Sequence, residues 1–253
     1  MQKGTVHLIP NILAENTANK MPQYLVDVIN RISIFYVEEI RSARRFLKMM
    51  NRNIVIDDLT FHILNEHHQE SLTLAKDILQ SGKDIAYISE AGCPAVADPG
   101  QDLVKIAHTI DAKVIPYIGP NSIILALMAS GFNGQQFYFH GYLPNKQPML
   151  SQKIKEIEAK SRTNNCTEIF IETPYRNNQL IEEILRNCND NTWFCVASNL
   201  TAEDEKIVSK TVKDWKKIFK GNRSLAQDET NKSEHQLEYN FHKKPCVMLL
   251  YAF

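Results

Sequence analysis

Over the first 118 residues, short apolar runs alternate with stretches whose apolar side chains recur every three to four positions. A strand covered on both faces reads as an unbroken apolar run, and an amphipathic helix shows the 3.6-residue period. Strand-like runs occupy residues 4–9, 34–37, 54–56, 84–88 and 114–118. Helical patterns occupy 23–32, 42–50, 69–79 and 103–110; the third places Leu72, Ala75, Ile78 and Leu79 on one face. Such alternation implies an α/β fold with a mainly parallel sheet and helices on both faces.

The second half changes character. Residues 137–139, 168–171, 192–197 and 246–252 are strand-like, and helices fit at 149–159, 179–187 and 212–219. Residues 221–244 are polar and aperiodic, which reads as a long surface loop or weak hairpin, unusual enough to invite a functional explanation. A strand meets Gly119 and Pro120 near residues 118–122. The expected division is therefore an N-terminal α/β domain, 1–118, and a C-terminal α/β domain with a mixed sheet and helices, 119–253. The total of 253 residues suits one large domain or two of ordinary size.

Composition narrows the partners. Lys and Arg number 29 against 29 Asp and Glu, so the overall field attracts no polyanion, and any nucleic acid must be held by a local basic patch. The five cysteines, Cys93, Cys166, Cys188, Cys195 and Cys246, form no C-x-x-C pair, which argues against a disulfide framework or a thiolate zinc site and fits reduced thiols. The longest apolar stretch, 123–129, is far below the ~20 residues that a membrane helix needs, and the N-terminal run is too short for a signal peptide. The expectation is a soluble cytoplasmic protein with no membrane partner.

Two loops carry most of the chemical information. Ser89-Glu90-Ala91-Gly92-Cys93-Pro94 continues through Asp98, Pro99 and Gly100 after the strand ending at Ile88. Ile118-Gly119-Pro120-Asn121-Ser122 follows the next strand and opens a helix, with Asn121 or Ser122 available as its cap. In an open α/β sheet, ligands sit beyond the carboxyl ends of the strands. Small residues there let backbone N–H and C=O groups approach a ligand. A plain turn punctuated by Pro and Gly is the competing reading of either loop alone; two such loops at one sheet edge make a crevice. Neither G-x-G-x-x-G nor G-K-[ST] occurs, so a nucleotide-phosphate site is poorly supported.

These two runs resemble those of the ribosomal-RNA small-subunit methyltransferase family, which methylates a ribose 2′-hydroxyl and belongs to the tetrapyrrole-methylase superfamily. The family reads Ser-Asp-Ala-Gly-Thr-Pro, then Ser-Asp-Pro-Gly, and later Pro-Gly-Pro-Ser. Further likenesses follow in order. Val37-Glu38-Glu39-Ile40-Arg41 resembles Ala-Glu-Asp-Thr-Arg, and Asn65-Glu66-His67-His68-Gln69 resembles His-Glu-His-Asn-Glu. Phe139-His140-Gly141-Tyr142-Leu143-Pro144 resembles Phe-Glu-Gly-Phe-Leu-Pro, and Ile171-Glu172-Thr173-Pro174-Tyr175-Arg176 resembles Tyr-Glu-Ser-Pro-His-Arg. The stretch 197–201 resembles Ala-Arg-Glu-Leu-Thr. The likeness thus spans nearly the whole chain.

The resemblance implies an S-adenosylmethionine-dependent methyltransferase, with the cofactor in a crevice between the two domains, a homodimer, and ribosomal RNA as acceptor. It assigns to the cofactor Pro10, Ser89, Glu90, Ala91, Gly92, Cys93, Pro94, Asp98, Ile118, Gly119, Pro120, Asn121, Glu172, Thr173, Leu200 and Thr201. The chain also departs from the pattern. The family's first strand ends Pro-Thr-Pro-Ile-Gly-Asn; here it runs Pro10-Asn11-Ile12-Leu13-Ala14-Glu15-Asn16, without glycine. Ser198-Asn199 replaces an Arg-Glu pair, and Glu90 stands where the family has Asp. Two further readings follow: a methyltransferase for a small molecule such as a tetrapyrrole precursor, and a non-catalytic cofactor- or RNA-binding relative.

A hydroxyl acceptor must lose a proton, which asks for a base within ~2.6–3.2 Å. His67 is the first candidate, with Glu66 beside it; a polar helix start explains the same residues. The spacing of His62, His67 and His68 fits no standard metal site. Arg41, Arg44, Arg45, Lys48 and Arg52 recur at three- and four-residue spacings, as a phosphate-binding stripe or a solvated helix face would. The family match places Arg41 with the catalytic candidates.

Overall fold

The computed structural model describes residues 2–64, 69–225 and 239–253. The chain divides into two compact units, Met1–Asn121 and Ser122–Phe253. In the first, β1 (Thr5–Ile9), β2 (Ile34–Val37), β3 (Thr60–Ile63), β4 (Ile85–Ile88) and β5 (Lys113–Pro116) form one sheet in the order β3-β2-β4-β1-β5. Every pairing in it is parallel. The helices are α1 (Leu25–Ile29), α2 (Ile40–Met50), α3 (Gln69–Gln80) and α4 (Gly100–Thr109).

Successive strand side chains point to opposite faces, and the apolar runs divide accordingly. Ile9, Phe35, Val37, Ala86 and Ile88 pack with Leu25, Ile29, Phe46 and Leu47 of α1 and α2. Val6, Leu8, Tyr36, Ile85 and Tyr87 pack with Leu79, Leu103 and Ala107 of α3 and α4. A strand buried on both sides has no polar face, which is why these runs are continuous. The chain passes from β1 to β2 and β3, then returns to insert β4 between β1 and β2. The loops after β1, β2, β4 and β5 consequently meet at one carboxyl edge.

The sequence-based strand at 54–56 is not formed. Ile56–Asp58 makes a 3-10 turn and the strand begins at Thr60, in register with Ile34 of β2. As an edge strand with one partner, β3 keeps polar Thr60 and His62 and shows little apolar signal. The first helix is also shorter than its pattern suggests, spanning only Leu25–Ile29.

The second unit carries β6 (Phe137–Tyr142), β7 (Thr167–Ile171), β8 (Trp193–Ser198), β9 (Lys206–Thr211) and β10 (Cys246–Tyr251), in the order β6-β7-β10-β8-β9. Only the β6–β7 pairing is parallel, so this sheet is mixed, as expected. Its helices are α5 (Ser122–Ser130), α6 (Met149–Asn164), α7 (Asn177–Asn187) and α8 (Val212–Leu225). Trp215 is fully buried at the centre of the core and donates its indole N–H to the Phe194 carbonyl at 2.8 Å. The half-buried edge strand β9 has no counterpart in the sequence reading, because neither of its faces is strongly apolar. The loop expected at 221–244 is corrected in part: α8 continues to Leu225, although Gly221 and Asn222 are poor helix formers. Residues 226–238 lie outside the described ones, and Phe241 is buried in the turn that leads to β10. No helix among the described residues is long and apolar enough to cross a membrane.

Candidate functional site

The loop after β4 is pinned against its two neighbours at the carboxyl edge of the parallel sheet. Asn11, just beyond β1, and Gly92 exchange both backbone hydrogen bonds, at 2.9 and 3.1 Å. The buried Asn11 side chain donates to the carbonyls of Ser89 (2.8 Å) and Glu90 (3.1 Å), and its oxygen accepts from Ile12 N (2.8 Å). Gly92 has φ +73°, and a Cβ there would stand 3.2 Å from Leu13 Cδ2 and 3.5 Å from the Pro120 carbonyl oxygen. The Cys93 thiol points at the carbonyls of Gly119 and Pro120. Gly119 lies so close to Pro10 that a Cβ would come within 2.2 Å of its ring. Tyr24 OH accepts from Ile118 N at 3.2 Å and holds the loop after β5.

Asp98 shapes the far end of the same loop. Its Oδ1 accepts from the amides of Ala95 and Gly100, both at 2.8 Å, and so ties the loop to the start of α4. Ala95 and Ala97 sit at φ +63° and +60°. Left-handed backbone at residues with a Cβ costs of order 1–3 kcal/mol each and persists only where the surroundings impose it. Burial pushes the Asp98 carboxyl above the usual carboxylate range, offset by the two amides and the Tyr87 hydroxyl. Ala91, Val96 and Ala97 are exposed, while Ser89, Gly92 and Pro94 are buried. The loop thus offers backbone with little side chain in front of it, which suits close approach by a ligand.

A second cluster joins the loops after β1, β2 and β4. Glu38 Oε1 accepts from Glu90 N at 3.1 Å. Burial raises the Glu38 carboxyl; the Glu90 amide opposes this, and the charges of Asp98 and Glu90 add to it. Glu39 caps α2 by accepting from the amides of Arg41 (2.8 Å) and Ser42 (2.6 Å), which hold its carboxyl below the usual range. Ser42 Oγ contacts Glu90 Oε1 at 2.6 Å. Beside this cluster lies a pocket of about 480 Å³, walled by the loop after β1, by α2 and by Glu90 and Ala91.

In the second unit, the motifs ending β6 and β7 converge. The buried Glu172 carboxylate accepts from Thr173 N at 2.7 Å and pairs with Arg176 at 3.3 Å. With Tyr142, Leu143 and Pro144 these residues line a hollow of about 410 Å³. Leu200 is buried, and Thr201 takes φ +74° with its amide donated to Glu205 at 2.6 Å.

Within the first unit, Pro10, Ser89, Glu90, Ala91, Gly92, Cys93, Pro94, Asp98, Ile118, Gly119, Pro120 and Asn121 all lie on the loops after β1, β4 and β5. Glu172 and Thr173 share the second unit's hollow, whose lining does not include Leu200 or Thr201. His67 and Glu66 lie outside the described residues. Arg41 is exposed in the first turn of α2, as are Arg44, Arg45 and Lys48 further along, while Arg52 falls beyond its end. The Arg44 guanidinium lies over the Phe61 ring at 5.3 Å, and Arg45 pairs loosely with Glu15 at 3.8 Å. Sequence reasoning missed Asn11, Glu38 and Ser42. The signal available was the glycine-less loop, where a buried amide side chain now does the pinning.

The family model of the tetrapyrrole (corrin/porphyrin) methylases matches residues 19–216. Ribosomal RNA small subunit methyltransferase I of Vibrio cholerae serotype O1 (strain ATCC 39315 / El Tor Inaba N16961) is 34% identical over 185 residues, covering 73% of this chain and 62% of that protein. The match therefore spans less than two thirds of that relative's length. The proteins of the same name from Escherichia coli O157:H7 and Bacillus subtilis (strain 168) are 30% and 29% identical, covering 81% and 83% of this chain and 68% of each relative. Among solved structures, the methyltransferase CobJ aligns over the whole of both chains with a TM-score of 0.58 at 12% identity. Uroporphyrin-III C-methyl transferase from Thermus thermophilus, complexed with S-adenyl homocysteine, covers 98% of this chain and 97% of its own with a TM-score of 0.53 at 11% identity.

Proposed function

This chain belongs to the tetrapyrrole (corrin/porphyrin) methylase family, and on that premise we propose that it is an S-adenosylmethionine-dependent methyltransferase acting on ribosomal RNA, at a ribose 2′-hydroxyl. The observation that carries the reading is the strained loop after β4, locked between the loops after β1 and β5 at the carboxyl edge of a parallel sheet. Its bare backbone around Gly92, with Pro10 and Gly119 to Asn121 beside it, fits a cofactor with an adenosine and an amino-acid tail. Glu172, Thr173, Leu200 and Thr201 of the second unit stay among the proposed cofactor residues. The names of the curated relatives favour ribosomal RNA over a small-molecule acceptor.

The cofactor supplies a methyl group on a sulfonium leaving group, so the protein mainly binds, aligns and excludes water. Rigid loops suit that role, because the Asn11, Asp98 and Glu39 bonds leave little freedom to be lost on binding. His67, with Glu66 beside it, remains the proposed base for the acceptor hydroxyl, and Arg41 stays among the proposed catalytic residues. The same reading carries a homodimer and a cytoplasmic location, which the five free thiols fit.

Titration calorimetry with S-adenosylhomocysteine is the direct test. Ligand at 100 times its dissociation constant should stabilise the fold by about 2.7 kcal/mol. No heat and no thermal shift with either form of the cofactor would remove the claim.

The acceptor has its own test. Arg41, Arg44 and Arg45 are exposed along α2, and each phosphate neutralised on a single strand contributes roughly −0.7 to the log–log salt slope. Changing all three to Ala should flatten that slope for ribosomal RNA by up to about two units and leave cofactor affinity nearly unchanged. Parental affinity and slope in the triple variant would rule out the stripe as the RNA contact.

A further inference from the structure

We propose that the face around the second unit's hollow receives a single-stranded stretch of the acceptor RNA, with Tyr142 and Tyr175 as stacking platforms for bases and Lys146 and Lys243 as phosphate contacts. This rests on the ribosomal-RNA reading and adds a contact surface to it. The two tyrosines are 63% and 69% exposed. Tyr142 ends β6, where the register against β7 shifts between Phe139 and Tyr142 and Gly141 takes φ +67°. Such a bulge re-aims the side chain beside it. Tyr142 lines the hollow of about 410 Å³ together with Asn145, Thr173 and Arg176. Tyr175 stands in the chain between Thr173 and Arg176, and Lys146 follows Asn145.

Tyr175 is exposed but held. The turn at 240–244 is fastened to the start of α7. Fully buried Asn177 donates to the carbonyls of Phe241 (3.1 Å) and Lys244 (2.7 Å), and the Asn178 side chain accepts from Phe241 N (3.0 Å). Lys243 N donates to the Pro174 carbonyl at 2.9 Å, and Lys243 sits at φ +63°. Left-handed backbone at a residue with a Cβ persists only where the surroundings impose it. This arrangement sets the Lys243 ammonium 5.9 Å from the centre of the Tyr175 ring and the His242 ring edge-on to it at 5.7 Å. A ring already fixed loses little freedom when a base stacks on it. The charges suit a polyanion. Lys146 and Lys243 are exposed and pair with no carboxylate among the described residues. The one carboxylate in the hollow's lining, Glu172, is buried and neutralised by Arg176. A single strand of RNA alternates flat bases with phosphates and uses both kinds of group at once. Aromatic faces beside cations are how proteins hold single strands without reading their sequence.

The test measures filter binding of deproteinised small-subunit RNA and methyl transfer to small subunits, both from a strain lacking this protein. Tyr142→Ala and Tyr175→Ala should each weaken RNA binding and raise KM about tenfold, with kcat and S-adenosylhomocysteine affinity within about twofold of the parent. Tyr142→Phe and Tyr175→Phe keep the ring and should stay within about threefold of the parent. Lys146→Ala and Lys243→Ala should each flatten the log–log salt slope by about 0.7. Parental binding in both alanine variants, or phenylalanine variants as weak as the alanine ones, would overturn the proposal. So would a loss of S-adenosylhomocysteine affinity with melting temperatures unchanged, since the face would then belong to the cofactor. Weakened binding to subunits with parental binding to bare RNA would give the face to a ribosomal protein. A change in the variants' mass in solution would give it to a second copy of the chain; either result overturns the RNA contact. Should one alanine variant fail to fold, the other carries the comparison. A parent that neither binds nor methylates ribosomal RNA overturns the functional reading itself, which separates the two failures.

Discussion

Replacing Gly92 with Val should lower the affinity for S-adenosylhomocysteine by more than about 100-fold, beyond easy measurement by calorimetry. Two effects act together. At φ +73° a β-branched residue is strained, at a cost of order 1–3 kcal/mol. The new side chain also starts 3.2 Å from Leu13 Cδ2 and 3.5 Å from the Pro120 carbonyl, so it must push aside the loops after β1 and β5. The core of the first unit lies on the two faces of the sheet, away from this edge, so cooperative unfolding should persist at a reduced midpoint. Gly92→Ala should show a weaker version of both effects. Near-parental binding by Gly92→Val would mean that this loop does not line the cofactor site.

Asn11→Ala should destabilise the protein by about 2–4 kcal/mol, since three buried or half-buried hydrogen bonds vanish at roughly 1 kcal/mol each and leave the Ser89 and Glu90 carbonyls without this donor and the Ile12 amide without its acceptor. The backbone pair between Asn11 and Gly92 survives the substitution, so the loop is loosened rather than released. Cofactor affinity should therefore fall less than in Gly92→Val, by about tenfold, through the lost rigidity of residues 89–91. Urea unfolding gives the first number and calorimetry the second. A loss of stability below about 1 kcal/mol would show that Asn11 does not pin the loop.

Much of this architecture is legible before any coordinates. Phe35 and Val37 pack with α1 and α2, while Tyr36 between them packs with α3 and α4. That two-sided burial is what makes the strand runs continuous and the parallel sheet inferable. The loops at Gly92 and Gly119 are equally visible, because small residues after a strand announce backbone that something must approach. The edge strands β3 and β9 were hidden for the opposite reason: each has one partner and no fully buried residue, so burial leaves little mark on residue choice.

The contacts that build the candidate site belong to another level. Asn11 reaches carbonyls 78 and 79 residues away, and Ser42 meets a carboxylate 48 residues away. No local period encodes such pairs. They exist because β4 inserts between β1 and β2, which brings three loops from distant parts of the chain to one edge. Periodicity records which side of an element is buried, and residue type records what a loop can tolerate. Which side chains then face one another depends on strand order, and strand order is settled by the packing of the whole sheet.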